Sequence, residues 1–193
     1  MKRHRTLNAA FSLLELLVVI AIMAIIAGAG VVALGGAGGR SPQGAASIAS
    51  SVFNLARTEA IMRGTDTLVL VDTTYDSAKP DNFLRRMTVT DTTGKLLTRW
   101  TTLPSGAYFN QSLSAAGTTN FSGNPQLPGT CAYFKFKSNG QIDNPAAARF
   151  IVSPGSVTGG TFQEIGTNKR YGFKIHKMGK LTFFEDPASI TSP

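Results

Sequence analysis

Cysteine is almost absent from this chain. Cys131 is the one cysteine among 193 residues, so no disulfide can close within the chain and packing must hold it together. A single thiol without nearby partners makes neither a nucleophile nor a metal site; its simplest role is that of a small buried apolar residue. Histidine is nearly as scarce, with only His4 and His176, and no Ser-His-Asp arrangement can be composed from them. Asp72, Asp76 and Asp81 are loosely spaced and miss the alternating pattern of a calcium loop. The 20 glycines nowhere adopt the spacing of a phosphate-binding loop or a dinucleotide fold. These absences argue against an enzyme and give no reason to expect a cofactor or a metal.

Acid is in short supply too, with 11 Asp and Glu against 19 Lys and Arg, a net charge of +8. Lys2, Arg3 and Arg5 make the first ten residues a positive leader of the kind that stays cytoplasmic. Residues 10–34 then form a long apolar run whose one charge is Glu15. From Leu16 to Leu34 nothing is charged, and a helix of that length spans about 28 Å, close to the bilayer's hydrocarbon core. An acid at the edge of such a span costs about 3 kcal/mol unless it finds a partner. A secretory signal peptide and an unprocessed single-pass anchor are the ordinary readings. The run is longer than a usual signal core, and an acid near its start fits neither reading well.

Ala10-Phe11-Ser12-Leu13-Leu14-Glu15-Leu16-Leu17 resembles the class III signal of type IV pilins and type II secretion pseudopilins. The resemblance implies that prepilin peptidase cuts between Ala10 and Phe11 and that Phe11 is then N-methylated. The family usually has glycine before the cut; Ala10 is small enough for the same tight subsite. Loss of the leader leaves 16 basic against 11 acidic residues, a net +5. Once cut, Phe11 carries an amine at the membrane boundary, where Glu15 of an incoming subunit can pair with it. Two opposite charges desolvated together cost far less than either alone, and only one stagger brings them into contact. The resemblance thus implies that Glu15 is an assembly residue.

Glycines gather after the run, and Gly35, Gly36, Gly38, Gly39 and Pro42 make a continuous helix poor through the region. The resulting organisation is a cleaved leader over 1–10, a transmembrane and assembly helix over 11–34 and a Gly-rich flexible joint over 35–44. An amphipathic helix over 45–64 and a periplasmic β-rich domain over 65–193 complete it. Ile48, Val52 and Leu55 recur at helical spacing, with Ala49, Phe53, Ala56 and Ala60 widening the apolar face. Ser47, Ser50, Ser51, Asn54 and Arg57 fall mostly opposite, Glu59 and Arg63 can pair, and Gly64 supplies a stop. Short runs rich in β-branched and aromatic residues predict strands at 67–71, 86–90, 96–101, 132–137, 149–152, 172–176 and 180–184. Residues 111–130 are small and polar and predict an exposed loop. The fold class is α+β, with a long N-terminal helix packed on antiparallel sheet.

Residues 55–64, LARTEAIMRG, running into an apolar strand, resemble the H-type minor pseudopilins (GspH) and their FimT-like pilus relatives. Tyr133–Phe136 turning at Ser138–Gln141, and Phe173–His176 turning at Met178–Lys180, resemble that family's paired hairpins. The resemblance covers 9–75 and 131–185 and is poor over 76–130. It implies a minor pilin or pseudopilin of a type II secretion or type IV pilus-like filament. Its partners would be prepilin peptidase, sibling subunits and the inner membrane, with the N-terminus cytoplasmic and the C-terminal domain periplasmic. The alternative is a FimT-like DNA-binding module. Residues 131–193 hold eight cations against four acids, among them Arg149, Lys169, Arg170, Lys174, Lys177 and Lys180, which can contact phosphates. A plain membrane-anchored adhesin is the third reading, and Glu15 speaks against it.

Overall fold

The computed structural model describes residues 17–23, 42–121, 123–143, 148–166 and 170–185. Ala10, Phe11, Glu15, Lys169 and the glycines at 28–39 lie outside them. The chain divides into two compact units, Met1–Gly38 and Gly39–Pro193. In the first unit residues 17–23 are helical, with Leu17, Ile20 and Met23 exposed. Among the described residues no helix is long and apolar enough to cross a membrane.

The second unit begins with a helix over Pro42–Arg63, three residues earlier than its sequence reading at 45. Residues 42–44, assigned to the joint, are therefore helical. Proline suits the first turn, because its fixed φ is already helical and its missing N–H would have no partner there. The helix stops at Gly64, whose φ of +63° is the left-handed conformation that glycine adopts without penalty. The buried face runs through Ala45, Ala49, Val52, Phe53, Ala56 and Ala60. Leu55, placed on that face by spacing, is exposed, and Ser50, placed opposite, is buried with its Oγ donating to the Ser47 carbonyl at 2.7 Å. The row of alanines sets the orientation, since small residues let the sheets approach the helix closely.

Among the described residues ten strands follow: β1 (Thr67–Asp72), β2 (Arg86–Asp91), β3 (Thr101–Thr102), β4 (Ala107–Phe109), β5 (Gly117–Asn120), β6 (Thr130–Phe136), β7 (Arg149–Thr158), β8 (Thr161–Glu164), β9 (Tyr171–Ile175) and β10 (Leu181–Phe184). One sheet has the order β3-β2-β1-β6-β5. The other has the order β10-β9-β7-β4, with β8 pairing the far end of β7. All pairings are antiparallel. The helix packs on both sheets, against β1 and β2 of the first and β7 and β9 of the second. The class is α+β.

Phe53 is the hub of the core. Its ring meets those of Phe134, Phe150 and Phe173 edge-on at 4.9, 5.3 and 5.0 Å between centroids. Phe150 in turn stacks on Phe109 and Phe173. Both sheets and the helix are thus joined through aromatic contacts, which add to their area burial when edge-on or offset. Along β1 the pleat sends Val69 and Val71 into this core and Leu68 and Leu70 to the other side, where Leu127 and Cys131 cover them. Burial on both faces explains why β1 reads as an unbroken apolar run.

Three expectations need correction. Residues 96–101 do not form a strand: Leu96 makes one bridge to Thr90, and pairing resumes only at Thr101–Thr102. The Thr98 hydroxyl accepts from Val89 N at 3.0 Å and replaces a ladder bond there. Residues 111–130 are not simply an exposed loop, because β5 adds an edge strand to β6 and Leu127 is buried over β1. The Asn139-Gly140 turn forms, with Gly140 at a φ of +78°, but its return makes a single bridge, Phe136 to Ile142, instead of a paired strand. The β9–β10 hairpin forms as expected.

Candidate functional site

Processing and assembly residues Ala10, Phe11 and Glu15 lie outside the described residues, so the site with geometry is the basic C-terminal region. The structure divides its cations into two groups. Arg170 forks onto Glu164, Nε to Oε1 at 2.5 Å and Nη2 to Oε2 at 2.7 Å. That guanidinium, with a lesser contribution from the Ser153 hydroxyl, holds the Glu164 carboxyl below the usual range. Arg149 donates from Nε to the Leu113 carbonyl at 2.8 Å, bracing the segment after β4. Both guanidinium groups therefore have partners within the protein. Lys169 lies outside the described residues.

The β9–β10 hairpin brings the remaining three together. Lys174 stands opposite Thr182, two residues from His176, so these side chains share the sheet face away from Phe173. Lys177 and Lys180 are exposed at the turn. His176 Nε2 and Thr182 Oγ1 share a hydrogen bond of 2.8 Å across the hairpin. Among the described residues, Lys174, Lys177 and Lys180 enter no ion pair. Other cations are matched: Lys135 by Asp66 at 2.9 Å, Lys137 by Asp143 at 2.9 Å, and Arg86 by Asp72 at 3.0 Å. Arg86 also lies over the Trp100 ring, 4.2 Å from its centroid.

Sequence reasoning missed one junction. Arg57 does not point away from the protein body; its side chain lies against Gly140 and Gly179, the two turn glycines. Its Nε is buried without a hydrogen-bond partner. Both glycines are buried and left-handed, at φ +78° and +75°. Ile61, one helical turn beyond Arg57, also faces Gly140. Two glycine turns read far apart in sequence were the available signal, but nothing in the spacing brings them to one arginine.

No group of three or more His, Cys, Asp or Glu among the described residues could hold a metal ion. Cys131 is buried and free, and burial pushes its thiol up to about 12, so it is a poor nucleophile.

The described unit is an α+β protein with a helix across two antiparallel sheets. Residues 5–31 match the model of the prokaryotic N-terminal methylation motif. The Pseudomonas aeruginosa type IV minor pilin FimU resembles it at 14% identity and a TM-score of 0.43, over 75% of this chain and 87% of that one. The minor pseudopilin EpsH of the Vibrio cholerae type II secretion system gives 20% identity and a TM-score of 0.40, over 76% and 97%. No curated protein matches the sequence.

Proposed function

We propose that this protein is a minor pilin or pseudopilin of the H type, a structural subunit and not an enzyme. One observation carries the reading: the methylation motif at 5–31 spans Ala10, Phe11 and Glu15 together. Prepilin peptidase removes residues 1–10, Phe11 becomes the methylated terminus, and the apolar segment stays in the inner membrane with the β-rich unit in the periplasm. Sibling subunits join through their N-terminal helices, each Glu15 pairing with a neighbour's Phe11 amine. A type II secretion pseudopilus or a type IV pilus-like filament is the resulting assembly.

The test is Glu15→Gln, which keeps the shape of the side chain and removes its charge. Processing and membrane insertion should match the wild type, while incorporation into sheared filaments should fall at least about tenfold, as expected for losing a desolvated charge pair. Normal incorporation would remove the role assigned to Glu15.

A second reading is favoured by the lysines of the β9–β10 hairpin, Lys177 and Lys180 exposed and Lys174 half-buried, none in an ion pair among the described residues. They suit phosphate contacts, as in a FimT-like DNA-binding module. That reading expects low-salt retention on duplex DNA, lost on neutralising Lys174, Lys177 and Lys180. No retention at low salt would end it.

A further inference from the structure

We infer that the surface formed by Ile61, Lys177, Met178 and Lys180 is a docking surface for an acidic protein segment, one whose carboxylates flank an apolar side chain. Three separate stretches build it. Ile61 from the helix reaches the Gly140 turn, where a β-carbon would lie 2.7 Å from its Cδ1. From that turn, Gln141 Nε2 donates to Met178 Sδ at 3.5 Å, and Ile142 N donates to the Lys177 carbonyl at 3.1 Å. Ile61 and Met178 are half and 62% exposed. Solvent thus meets apolar side chains at the point where helix and turns converge.

The surface is preorganised. The Arg57 stem fills the space between Gly140 and Gly179, so the turns and the helix end are held together before any partner arrives. Less ordering on binding means less affinity lost.

Its charge selects the partner. Among the described residues Arg63 is matched by Glu59 and Lys137 by Asp143, while Lys177 and Lys180, beside Met178, enter no ion pair. A partner complementary to them presents carboxylates. A phosphate backbone would use the lysines and leave Ile61 and Met178 in water, and none of these surface residues is a Phe, Tyr or Trp on which a base could stack. An apolar centre rimmed by charge is the anatomy of a protein interface, and methionine adapts its shape to an apolar side chain. Acidic protein fits better than nucleic acid.

The test uses the full chain in detergent micelles with methyl-labelled methionine, and as probe a short peptide of alternating glutamate and leucine. The Met178 methyl should shift on titration, while the buried Met87, 1% exposed, stays fixed as an internal control. Lys177→Glu combined with Lys180→Glu should weaken the peptide at least about tenfold, as expected for reversing rim charges. Absence of a Met178 shift, or equal binding by the double variant, would overturn the inference. So would an oligoglutamate that binds as well as the peptide, or duplex DNA that shifts Met178 at lower concentration. The measurement leaves the Glu15 pairing untouched, so either proposal can fail alone.

Discussion

Arg57 and Gly179 meet so closely that no side chain fits between them. A β-carbon on Gly179 would lie 2.7 Å from Arg57 Nε and 2.5 Å from the Gly140 carbonyl oxygen. The backbone at Gly179, at a φ of +75°, is also one that side chains adopt at a cost. Gly179→Ala therefore carries both penalties and should lose about 2–4 kcal/mol. Gly159 gives the comparison: its φ is +58°, with nothing within 4 Å of the added carbon. Gly159→Ala should lose only about 1 kcal/mol. Urea unfolding of the full chain, followed by Trp100 fluorescence, measures both. Equal losses would mean that the Arg57 contact adds nothing.

Phe53 touches aromatic rings from both sheets. Phe53→Ala should cost about 3–5 kcal/mol, because the rings around the vacated space belong to different strands and cannot all close in. Phe53→Leu refills part of the volume and should cost less. The same unfolding experiment checks the order, and a loss for Phe53→Ala below that of Phe53→Leu would contradict it.

How far the sequence reveals this follows from the kind of interaction involved. Local sequence found the helix, the strands β1, β2, β6, β9 and β10 and the first residues of β7, because each carries its own apolar, β-branched and aromatic residues. It missed β4, β5 and β8, of three or four residues each, whose pairing comes from neighbours such as β6 and β7. Leu127 shows the same limit, being a single apolar residue in a polar stretch that is buried only because β1 presents a second apolar face. In the basic region, composition counted eight cations but could not see that Arg170 is neutralised by Glu164 or that Arg149 is tied to Leu113. The first is a turn contact over six residues and the second joins segments 36 apart, and composition shows neither.

Cys131 should be inert in the native protein. Burial pushes its thiol up to about 12, and its side chain is covered by the second apolar cluster. A thiol-reactive reagent at neutral pH should label it only as the protein unfolds, so labelling and urea unfolding share one midpoint. Rapid labelling without denaturant would contradict this.

Acid should destabilise the fold through its paired carboxylates. Lys135 holds Asp66, Lys137 holds Asp143 and Arg170 holds Glu164 below their ordinary values. For each, the unfolded chain binds the proton more readily, so the stabilisation is whole above the ordinary value and is lost as pH falls through the folded one. Asp72, raised by burial, has the opposite sign and offsets part of the loss. Stability should therefore drop as pH falls from about 4.5, the ordinary value for glutamate. Glu164→Gln should lower stability at neutral pH and flatten the drop. Unfolding midpoints across that range measure it, and an unchanged profile would contradict the Arg170 pairing.

The most direct measurement concerns the amino end of the assembled subunit. Mass spectrometry of sheared filaments should find a chain beginning at Phe11, one methyl group heavier than the unmodified residue, with residues 1–10 gone. A chain in the working assembly that still begins at Met1 would contradict the account, since no free Phe11 amine would be there to meet Glu15.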